Sequence, residues 1–339
     1  MKILVTGGAG YIGSHTSVEL LQAGHEVIIF DNFSNSSEES INRIEKITEK
    51  KVTFYKGDCL DEIELEKVFQ ENSIDSVIHF ASLKSPFESI SKPLSYYSNN
   101  IVGTLNLLRV MERHHCYNLV FSSSATVYGN PKEVPVSEKA EKGELTNPYG
   151  RTKSMIEDIL SDVFNSNNKW NFVILRYFNP IGAHESGLIG EDPKGIPANL
   201  FPYITQVAIG KLKELKVFGN DYNTPDGTCI RDYIHVVDLA KGHVFALKAF
   251  ADNNQEVKIY NLGTGKGCSV LELVKSFEKA TGILIPYSIQ GRRNGDVPSS
   301  YSDPTKANVE LSWKAEKNIE DMCRDGWNWQ KKNPDGYLK

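Results

Sequence analysis

Residues 2–13 of the chain read KILVTGGAGYIG, an apolar strand pattern that runs directly into a turn with closely spaced glycines. A helical pattern follows over residues 12–23, and Gly24 can end that helix in the left-handed conformation. Residues without a Cβ atom let the backbone approach a pyrophosphate at a helix N-terminus, where free N–H groups favour anions. The spacing G-x-x-G-x-x-G therefore predicts a dinucleotide site, with cofactor contacts from Gly7, Gly10, Tyr11, Ile12 and Gly13.

A carboxylate follows the second strand pattern at residues 27–30, 18 residues after Gly13. Asp31 at this place can accept hydrogen bonds from both hydroxyls of a ribose and repels a 2′-phosphate, which favours NAD over NADP. The alternative is an ordinary turn formed by Asp31 with Asn32. Asp58 follows the third strand pattern, where its carboxylate can meet the adenine amino group or cap the next helix.

Strand and helix patterns alternate through the first half of the chain. Strands are predicted at residues 3–6, 27–30, 52–55, 76–80, 119–122 and 172–176, and helices at 12–23, 61–70, from Pro93 onward and at 148–164. This alternation predicts an α/β protein with a Rossmann-type doubly wound parallel sheet and helices on both of its faces.

After Asn179, glycine and proline become frequent and the predicted elements shorten. We expect a Rossmann-type NAD-binding domain over residues 1–179 and a smaller mixed α/β lobe, mainly for substrate binding, over residues 180–339. Segments around residues 230–265 are expected to return to the larger domain.

Three side chains at the expected ligand edge of the sheet predict proton-transfer chemistry. Tyr149 and Lys153 are four residues apart, so they share one face of a helix. Ser124 ends the fifth strand pattern, and the carboxyl ends of parallel strands form the ligand edge of such a sheet. A free tyrosine has a pKa of about 10, and we expect the Lys153 ammonium and a positive nicotinamide ring to lower it. The tyrosine would then handle a proton while hydride moves to or from the nicotinamide.

Two residues near the end of the fourth strand pattern are also candidates for cofactor contacts. Phe80 lies at the sheet edge where cofactors bind in such folds. Lys84, just beyond it, can reach the sugar or the nicotinamide side, or can be an ordinary loop lysine.

The bulk composition restricts the function further. The net charge is -5 and the basic residues are scattered, so we expect no nucleic-acid partner. No apolar run approaches the roughly 18 residues that span a membrane, and the chain enters its first strand without a leader pattern, which favours a cytoplasmic protein. The 5 cysteines are widely spaced and form no C-x-x-C motif, so we predict reduced thiols and no metal site.

Six motifs spread over the chain resemble those of one family. They are Thr6–Gly13, Ser122–Gly129, Tyr149–Lys153, Arg176–Pro180, Arg231–His235 and Trp327–Gln330. The chain resembles the extended short-chain dehydrogenase/reductases and, within them, the sugar-nucleotide 4-epimerases. The likeness covers nearly the whole sequence.

The resemblance implies a tightly held NAD that is reduced and reoxidised within each turnover, with UDP-hexoses as substrates. Tyr149 would remove the 4′-hydroxyl proton of UDP-glucose or UDP-galactose. A transient 4-ketosugar would then turn over in the pocket and accept the hydride on its other face. The resemblance also implies cofactor contacts from Asn99, Ser122 and Tyr177.

A UDP group needs cations for its diphosphate, and arginine grips phosphate with a planar fork. Arg231 and Arg293 are the best candidates, and Arg292 competes with Arg293 for the same role. The resemblance adds substrate contacts at four positions, which serve the diphosphate and sugar (Asn179 and Asn199), uracil (Phe218) and the uridine ribose (Asp296).

Ser300 departs from the family pattern, which often has a bulky tyrosine at the aligned position. That tyrosine crowds the 2′ substituent of the sugar, whereas serine leaves room for an N-acetyl group. We therefore expect activity on UDP-GlcNAc and UDP-GalNAc in addition to UDP-glucose and UDP-galactose. An alignment shifted by one residue would place Tyr301 there instead and remove this argument.

Two other functions compete with epimerisation. A 4,6-dehydratase or a net oxidoreductase acting on a nucleotide sugar shares the same motifs, but sister dehydratases carry an Asp-Glu pair after the serine, where this chain has Ala125 and Thr126. A non-catalytic NAD-binding protein would not need Tyr149 or Lys153. The resemblance also suggests a homodimer in which the helix starting near Ser91 and the Tyr149 helix form a four-helix bundle, although apolar helix faces usually belong to the core.

Overall fold

The structure is a computed structural model that describes residues 1–250, 255–293 and 295–337. Its strands are β1 (Lys2–Thr6), β2 (Glu26–Asp31), β3 (Thr53–Lys56), β4 (Ser76–His79), β5 (Asn118–Ser124), β6 (Asn171–Tyr177), β7 (Asn179–Ile181), β8 (Leu215–Phe218), β9 (Ile230–Arg231), β10 (Tyr233–His235), β11 (Val257–Leu262), β12 (Cys268–Ser269), β13 (Tyr287–Gln290) and β14 (Ser299–Ser300). Its α-helices are α1 (Tyr11–Gln22), α2 (Glu39–Thr48), α3 (Glu62–Glu71), α4 (Pro86–Ser91), α5 (Pro93–Tyr97), α6 (Gly103–Arg113), α7 (Pro148–Ser166), α8 (Leu200–Ala208), α9 (Val236–Ala246), α10 (Val270–Thr281), α11 (Thr305–Glu310) and α12 (Ile319–Lys332).

The central sheet has seven strands in the order β11-β6-β5-β4-β1-β2-β3, and every neighbouring pair is parallel. This topology confirms the predicted doubly wound α/β fold. β11 pairs with β6 along its whole length, and α9 packs against α1. Two C-terminal elements of the chain therefore join the layers built by its first half.

Alternating apolar residues of the strands build a core on each face of the sheet. Val5 and Ile29 face a core shared with α1, α2 and α9, whereas Leu4, Ile28 and Phe121 face a core shared with α3, α6 and α7. Strands that are buried on both faces are typical of parallel sheets, which explains their continuous apolar runs in the sequence.

The smaller lobe has a core of its own, formed mainly by α8, α10, α12 and β8, and β8 pairs in parallel with β13. Beside it, β9 lies between β12 and β14 in a small sheet, and β10 pairs with β7. The carboxyl ends of β1, β4, β5 and β6 face this lobe's segments across one edge of the large sheet, where Tyr11 of α1 donates a hydrogen bond to the Gly182 carbonyl oxygen (2.7 Å).

The helix expected from Pro93 differs from a regular long helix. It is divided into α5, a π-helical turn at Ser98–Val102 and α6. Leu94 of α5 is 82% exposed, so part of the apolar face of this helix lies outside the core. Within the described residues, no helix is both long enough and apolar enough to cross a membrane.

Candidate active site

The turn between β1 and α1 has no space for a Cβ atom at Gly7 or at Gly13. Gly7 has φ +69°, and a Cβ atom there would lie 2.8 Å from the Ala81 backbone nitrogen. A Cβ atom on Gly13 would lie 2.2 Å from the Gly7 carbonyl oxygen. Gly10 is the N-cap of α1, and among the described side chains none caps this helix end. The free N–H groups and the close backbone approach fit the pyrophosphate of a dinucleotide.

Asp31 lies against this turn at the end of β2 and is buried. One carboxylate oxygen accepts a hydrogen bond from the Ala9 backbone nitrogen (3.0 Å), and the other accepts from the Phe33 backbone nitrogen (2.9 Å) and the Ser36 hydroxyl (2.8 Å). These bonds hold the carboxylate at the position where the ribose of an NAD molecule lies in such folds. The residues around the turn therefore fit NAD.

Asn32 and Asp58 lie together beside Asp31. The Asn32 amide donates a hydrogen bond to the Asp58 carboxylate (2.9 Å). The alternative role of Asp58 as a helix cap is not seen, because the N-cap of α3 is Asp61, which accepts bonds from the backbone nitrogens of its first turn. The structure thus leaves Asp58 beside the dinucleotide site.

Tyr149 and Lys153 lie on α7, whose N-terminus is capped by Asn147 through a bond from the Gly150 nitrogen (2.8 Å). Both side chains are buried, and Ser124 at the end of β5 lies near enough to the Tyr149 hydroxyl to influence its pKa. The Lys153 ammonium donates to the Ser122 carbonyl oxygen (2.7 Å) and is 3.2 Å from the Ser82 hydroxyl. The three residues predicted as the catalytic set are therefore brought together.

The ionisation of this set differs in one respect from the expectation. Burial raises the pKa of Tyr149, and the nearby Ser124 hydroxyl opposes this shift only in part. Burial also lowers the pKa of Lys153 to about 7, against the effect of Glu157. The expected lowering of the tyrosine pKa by Lys153 is not met in the protein alone, because the ammonium is directed at Ser122 and lies 5.9 Å from the Tyr149 ring centroid. A further positive charge is needed to form the phenolate near neutral pH.

The other predicted cofactor contacts lie around the same edge. The hydroxyls of Ser122 and Tyr177 contact each other, and the Phe80 ring packs on His243 with centroids 4.7 Å apart. Asn99 lies in the π-helical turn, where its amide donates to the Asn100 side chain (3.0 Å).

Lys84 connects the large domain to the smaller lobe. Its ammonium pairs with the Glu191 carboxylate (3.0 Å) and lies 5.8 Å from the Tyr11 ring centroid. The same Glu191 oxygen accepts a hydrogen bond from the Asn199 amide (3.1 Å). Glu191 was missed in the sequence, since it lies in a glycine- and proline-rich segment without periodicity that would mark it.

Four of the residues predicted for the UDP group form a second cluster, namely Phe218, Arg231, Arg293 and Asp296. Arg293 pairs with the Asp296 carboxylate (3.2 Å) and lies 5.3 Å from the Phe218 ring centroid. Arg231 approaches the same carboxylate (3.7 Å). Arg292 instead pairs with Asp221 (2.8 Å), so the structure places Arg293 in this cluster. Asn179 is exposed at the start of β7.

Ser300 belongs to β14 and is paired with Arg231 of β9. Tyr301 follows it, and a Cβ atom on Gly267 would lie 3.1 Å from the Tyr301 ring. Because successive side chains of a strand point to opposite faces, Ser300 and not Tyr301 shares the face of Arg231. No group of three or more His, Cys, Asp or Glu side chains in the described part of the chain could hold a metal ion.

A parallel sheet whose first turn admits a dinucleotide, with a buried Ser-Tyr-Lys set at its carboxyl edge, defines the class of extended short-chain dehydrogenase/reductases. The family model described as GDP-mannose 4,6 dehydratase matches residues 4–326. The UDP-glucose 4-epimerase of Haemophilus influenzae is 59% identical over 337 residues, which cover 99% of this chain and 99% of that relative.

Solved structures give the same result. The UDP-glucose 4-epimerase from Bifidobacterium longum in complex with NAD+ and UDP superposes with a TM-score of 0.96 at 56% identity, covering 99% of this chain and 100% of that one. The enzyme from Stenotrophomonas maltophila, with bound NAD and formylated UDP-arabinopyranose, has a TM-score of 0.96 at 49% identity, with 98% and 99% of the two chains covered. The chain belongs to the UDP-glucose 4-epimerase family, which confirms the resemblance that its motifs indicated.

Proposed function

We propose that this protein is an NAD-dependent 4-epimerase that interconverts UDP-glucose and UDP-galactose. The observation that carries the proposal is the buried set of Ser124, Tyr149 and Lys153 at the edge of a sheet whose first turn fits a dinucleotide. The relatives named UDP-glucose 4-epimerase, one of them solved with NAD+ and UDP, support both the substrate class and the cofactor.

Within this proposal, Tyr149 removes the proton of the sugar 4′-hydroxyl and later returns it. Ser124, which lies near the tyrosine, shares that proton and orients the hydroxyl. Lys153, held by the Ser122 carbonyl oxygen, provides positive charge behind the tyrosine. When bound, NAD supplies a nicotinamide that takes up and gives back the C4′ hydrogen with two electrons. The sugar passes through a transient 4-ketosugar, which must present its other face before Tyr149 returns the proton.

The UDP group is assigned to the second cluster. Arg231 and Arg293 serve the diphosphate, since guanidinium groups bind phosphate oxygens in pairs. Asp296, which already bonds Arg293, meets the uridine ribose, and Phe218 borders the uracil ring. Asn179 and Asn199 serve the diphosphate and the sugar, and Lys84 the sugar or the nicotinamide side.

A dehydratase or an oxidoreductase is the second candidate, because the matching family model carries a dehydratase description. Elimination of water needs an acid and a base beside the sugar, and Ala125 and Thr126 directly after Ser124 provide no carboxylate. The residues next to the serine therefore favour the epimerase.

The test is an assay of the pure protein with UDP-galactose and no added cofactor. We expect UDP-glucose to form, NAD to be released when the protein is denatured, and Tyr149→Phe to lose most of the activity. Free NADH or a dehydrated sugar would support the second candidate. Bound NAD with no conversion of either sugar would instead identify a non-catalytic NAD-binding protein.

We also propose activity on UDP-GlcNAc and UDP-GalNAc. The small Ser300 side chain shares the face of Arg231, so a substituent on the sugar near the diphosphate has space there. The Tyr301 ring lies against Gly267 on the opposite face, which supports the alignment of Ser300 rather than Tyr301 with the family's bulky residue.

A homodimer and a cytoplasmic location complete the proposal. Large apolar side chains are exposed on α4, α5, the π-helical turn and α7, namely Phe87, Ile90, Leu94, Val102 and Met155. Since α5 packs against α7, these side chains form a surface that a second copy can cover.

The proposed cytoplasmic location is supported by the cysteines. All five cysteines are unpaired thiols, which is usual in a reducing compartment.

A further inference from the structure

A buried group of charged and polar residues lies between α7 and the sheet, one helical turn beyond Lys153. We call it the Glu157 cluster; it consists of Ser123, Lys142, Glu157 and Arg176. Arg176 donates two bonds to the Glu157 carboxylate (3.0 and 2.6 Å), and the Ser123 hydroxyl donates a third (2.6 Å). Lys142 approaches the same carboxylate at 3.5 Å. Glu157 and Arg176 are almost completely buried.

The cluster ties together the three elements that carry the predicted catalytic and cofactor residues. Ser123 lies between Ser122 and Ser124 on β5, and Arg176 precedes Tyr177 on β6. Alternate residues of a strand point to opposite faces, so the cluster lies on the α7 face of these strands. Glu157 therefore fixes α7 directly behind the residues that hold the reacting groups.

Lys153 needs a counter-charge, because its buried ammonium is bonded to two neutral oxygens. Among the described residues, no carboxylate lies within 4.0 Å of it. His79 of β4 faces the ammonium but is neutral, since burial lowers its pKa to about 3. Tyr149 of α7 and Tyr177 of β6 are also neutral, since burial raises the pKa of both phenols.

Glu157 is the carboxylate that remains. It follows Lys153 by four residues on α7, and side chains with this spacing are neighbours on one helix face. Its negative charge raises the pKa of Lys153 against the effect of burial. Arg176 and Lys142 also face this carboxylate, and they hold it in place from the sheet and from the loop before α7.

We propose that Glu157 is a positioning residue that keeps Lys153 protonated and holds α7 in register with β5, without touching substrate or cofactor. This inference rests on the proposed function, since it concerns the lysine of the same catalytic set. Without the carboxylate, the ammonium would lose its proton at a lower pH, and activity would decline at that lower pH as well.

The test compares Glu157→Gln with the wild type in two measurements. The first is an NMR titration in which the 13Cε signals of the labelled lysine side chains are recorded as a function of pH. The Lys153 signal is identified because it is missing from the spectrum of Lys153→Met. We expect its titration midpoint in Glu157→Gln to fall by at least about one pH unit. The second is the pH profile of kcat, whose alkaline limb should move down by a similar amount. An unchanged midpoint would overturn the inference.

Control variants separate charge from packing. Ser123→Ala removes one hydrogen bond but keeps the carboxylate, so we expect the Lys153 midpoint to stay within about 0.3 pH units of the wild type. Glu157→Asp keeps the negative charge, so most of the fall in the Lys153 midpoint seen in Glu157→Gln should be absent from it. If Glu157→Gln does not fold because Arg176 is left unpaired, Glu157→Gln/Arg176→Gln removes both buried charges and should still lower the midpoint.

The NMR titration requires no turnover. A shifted midpoint in a protein that does not epimerise UDP-galactose would contradict the proposed function and leave the link between Glu157 and Lys153 intact. An unchanged midpoint in an active epimerase would contradict the link between Glu157 and Lys153 and leave the proposed function intact.

Discussion

Ser300 and Arg231 lie opposite each other in the parallel pairing of β14 with β9, so their side chains share one face of this small sheet. Ser300→Tyr should therefore fill the space beside the proposed sugar position. We expect kcat/KM for UDP-GlcNAc to fall by about 10- to 200-fold, while UDP-galactose is affected by only a few-fold, because a pocket discriminates single groups by such factors. The measurement is steady-state kinetics on both substrates.

Ser299→Tyr is the matched control for this substitution. Ser299 is paired with Ile230, and as the preceding residue of the strand it points to the other face. Selectivity between the two sugars should stay as in the wild type. If wild-type protein shows no turnover of UDP-GlcNAc, the proposed space at Ser300 is not used for an N-acetyl group.

Gly13→Ala should abolish the binding of NAD. The added Cβ would lie 2.2 Å from the Gly7 carbonyl oxygen, so the turn between β1 and α1 has to open where the pyrophosphate is expected. We expect purified Gly13→Ala to retain less than about a tenth of the wild-type content of NAD, measured after denaturation.

Gly24→Ala is the control at the other end of α1. A Cβ atom there meets nothing within 4 Å, but φ is +85°, so the substitution is strained without affecting the turn. It should lower the free energy of unfolding by about 1 kcal/mol and leave the content of NAD unchanged. Equal loss of NAD from both variants would mean that general instability, and not the glycine turn, controls binding.

Much of the cofactor half was predictable because its signals are local. The glycine turn, the apolar run of β1 and Asp31 occur within one β-α-β unit, where spacing along the chain determines spacing in space. Tyr149 and Lys153 are likewise one helical turn apart. The alternation of strands and helices then determined a parallel sheet.

The remaining features depend on contacts between distant parts of the sequence. Glu191 meets Lys84 across 107 residues, and Glu157 meets Arg176 only because a helix and a strand pack together. The exposure of Leu94 could not be predicted, since an apolar helix face looks the same in sequence whether it faces the core or a partner. The burial that raises the pKa of Tyr149 could not be predicted either, because burial depends on the complete fold.

Three buried histidines should destabilise the protein in acid. Burial lowers the pKa of His15 and His79 to about 3 and of His243 to about 4, from 6.5. Below pH 6.5 the unfolded chain therefore binds protons that the folded chain does not, so stability falls as the pH falls. When the pH falls from 7.5 to 5.5, each histidine should lower the free energy of unfolding by about 1.4 kcal/mol, and the three together by about 4 kcal/mol. Denaturant unfolding at the two pH values measures this loss.

His243→Gln tests this assignment. Over the same pH range, the free energy of unfolding of the variant should fall by about 1.4 kcal/mol less than that of the wild type. This difference does not depend on the stability of the variant at pH 7.5. His115 is exposed, so His115→Gln is the control for replacing an imidazole at the surface. A loss in His243→Gln equal to that of the wild type would show that this imidazole is protonated in the folded state.

Leu94→Glu should separate the proposed homodimer into single chains. Leu94 is 82% exposed on α5, beside the apolar side chains of α4 and α7, and a carboxylate there would be buried unpaired between two copies. Ile63 is equally exposed, at 81%, on a different helix, α3, which packs against α6, so Ile63→Glu is the matched control. Sedimentation analysis should give the mass of two chains for the wild type and Ile63→Glu and of one chain for Leu94→Glu. A wild-type protein that sediments as one chain at micromolar concentration would contradict the homodimer directly, because an apolar surface used for obligate pairing stays covered at that dilution.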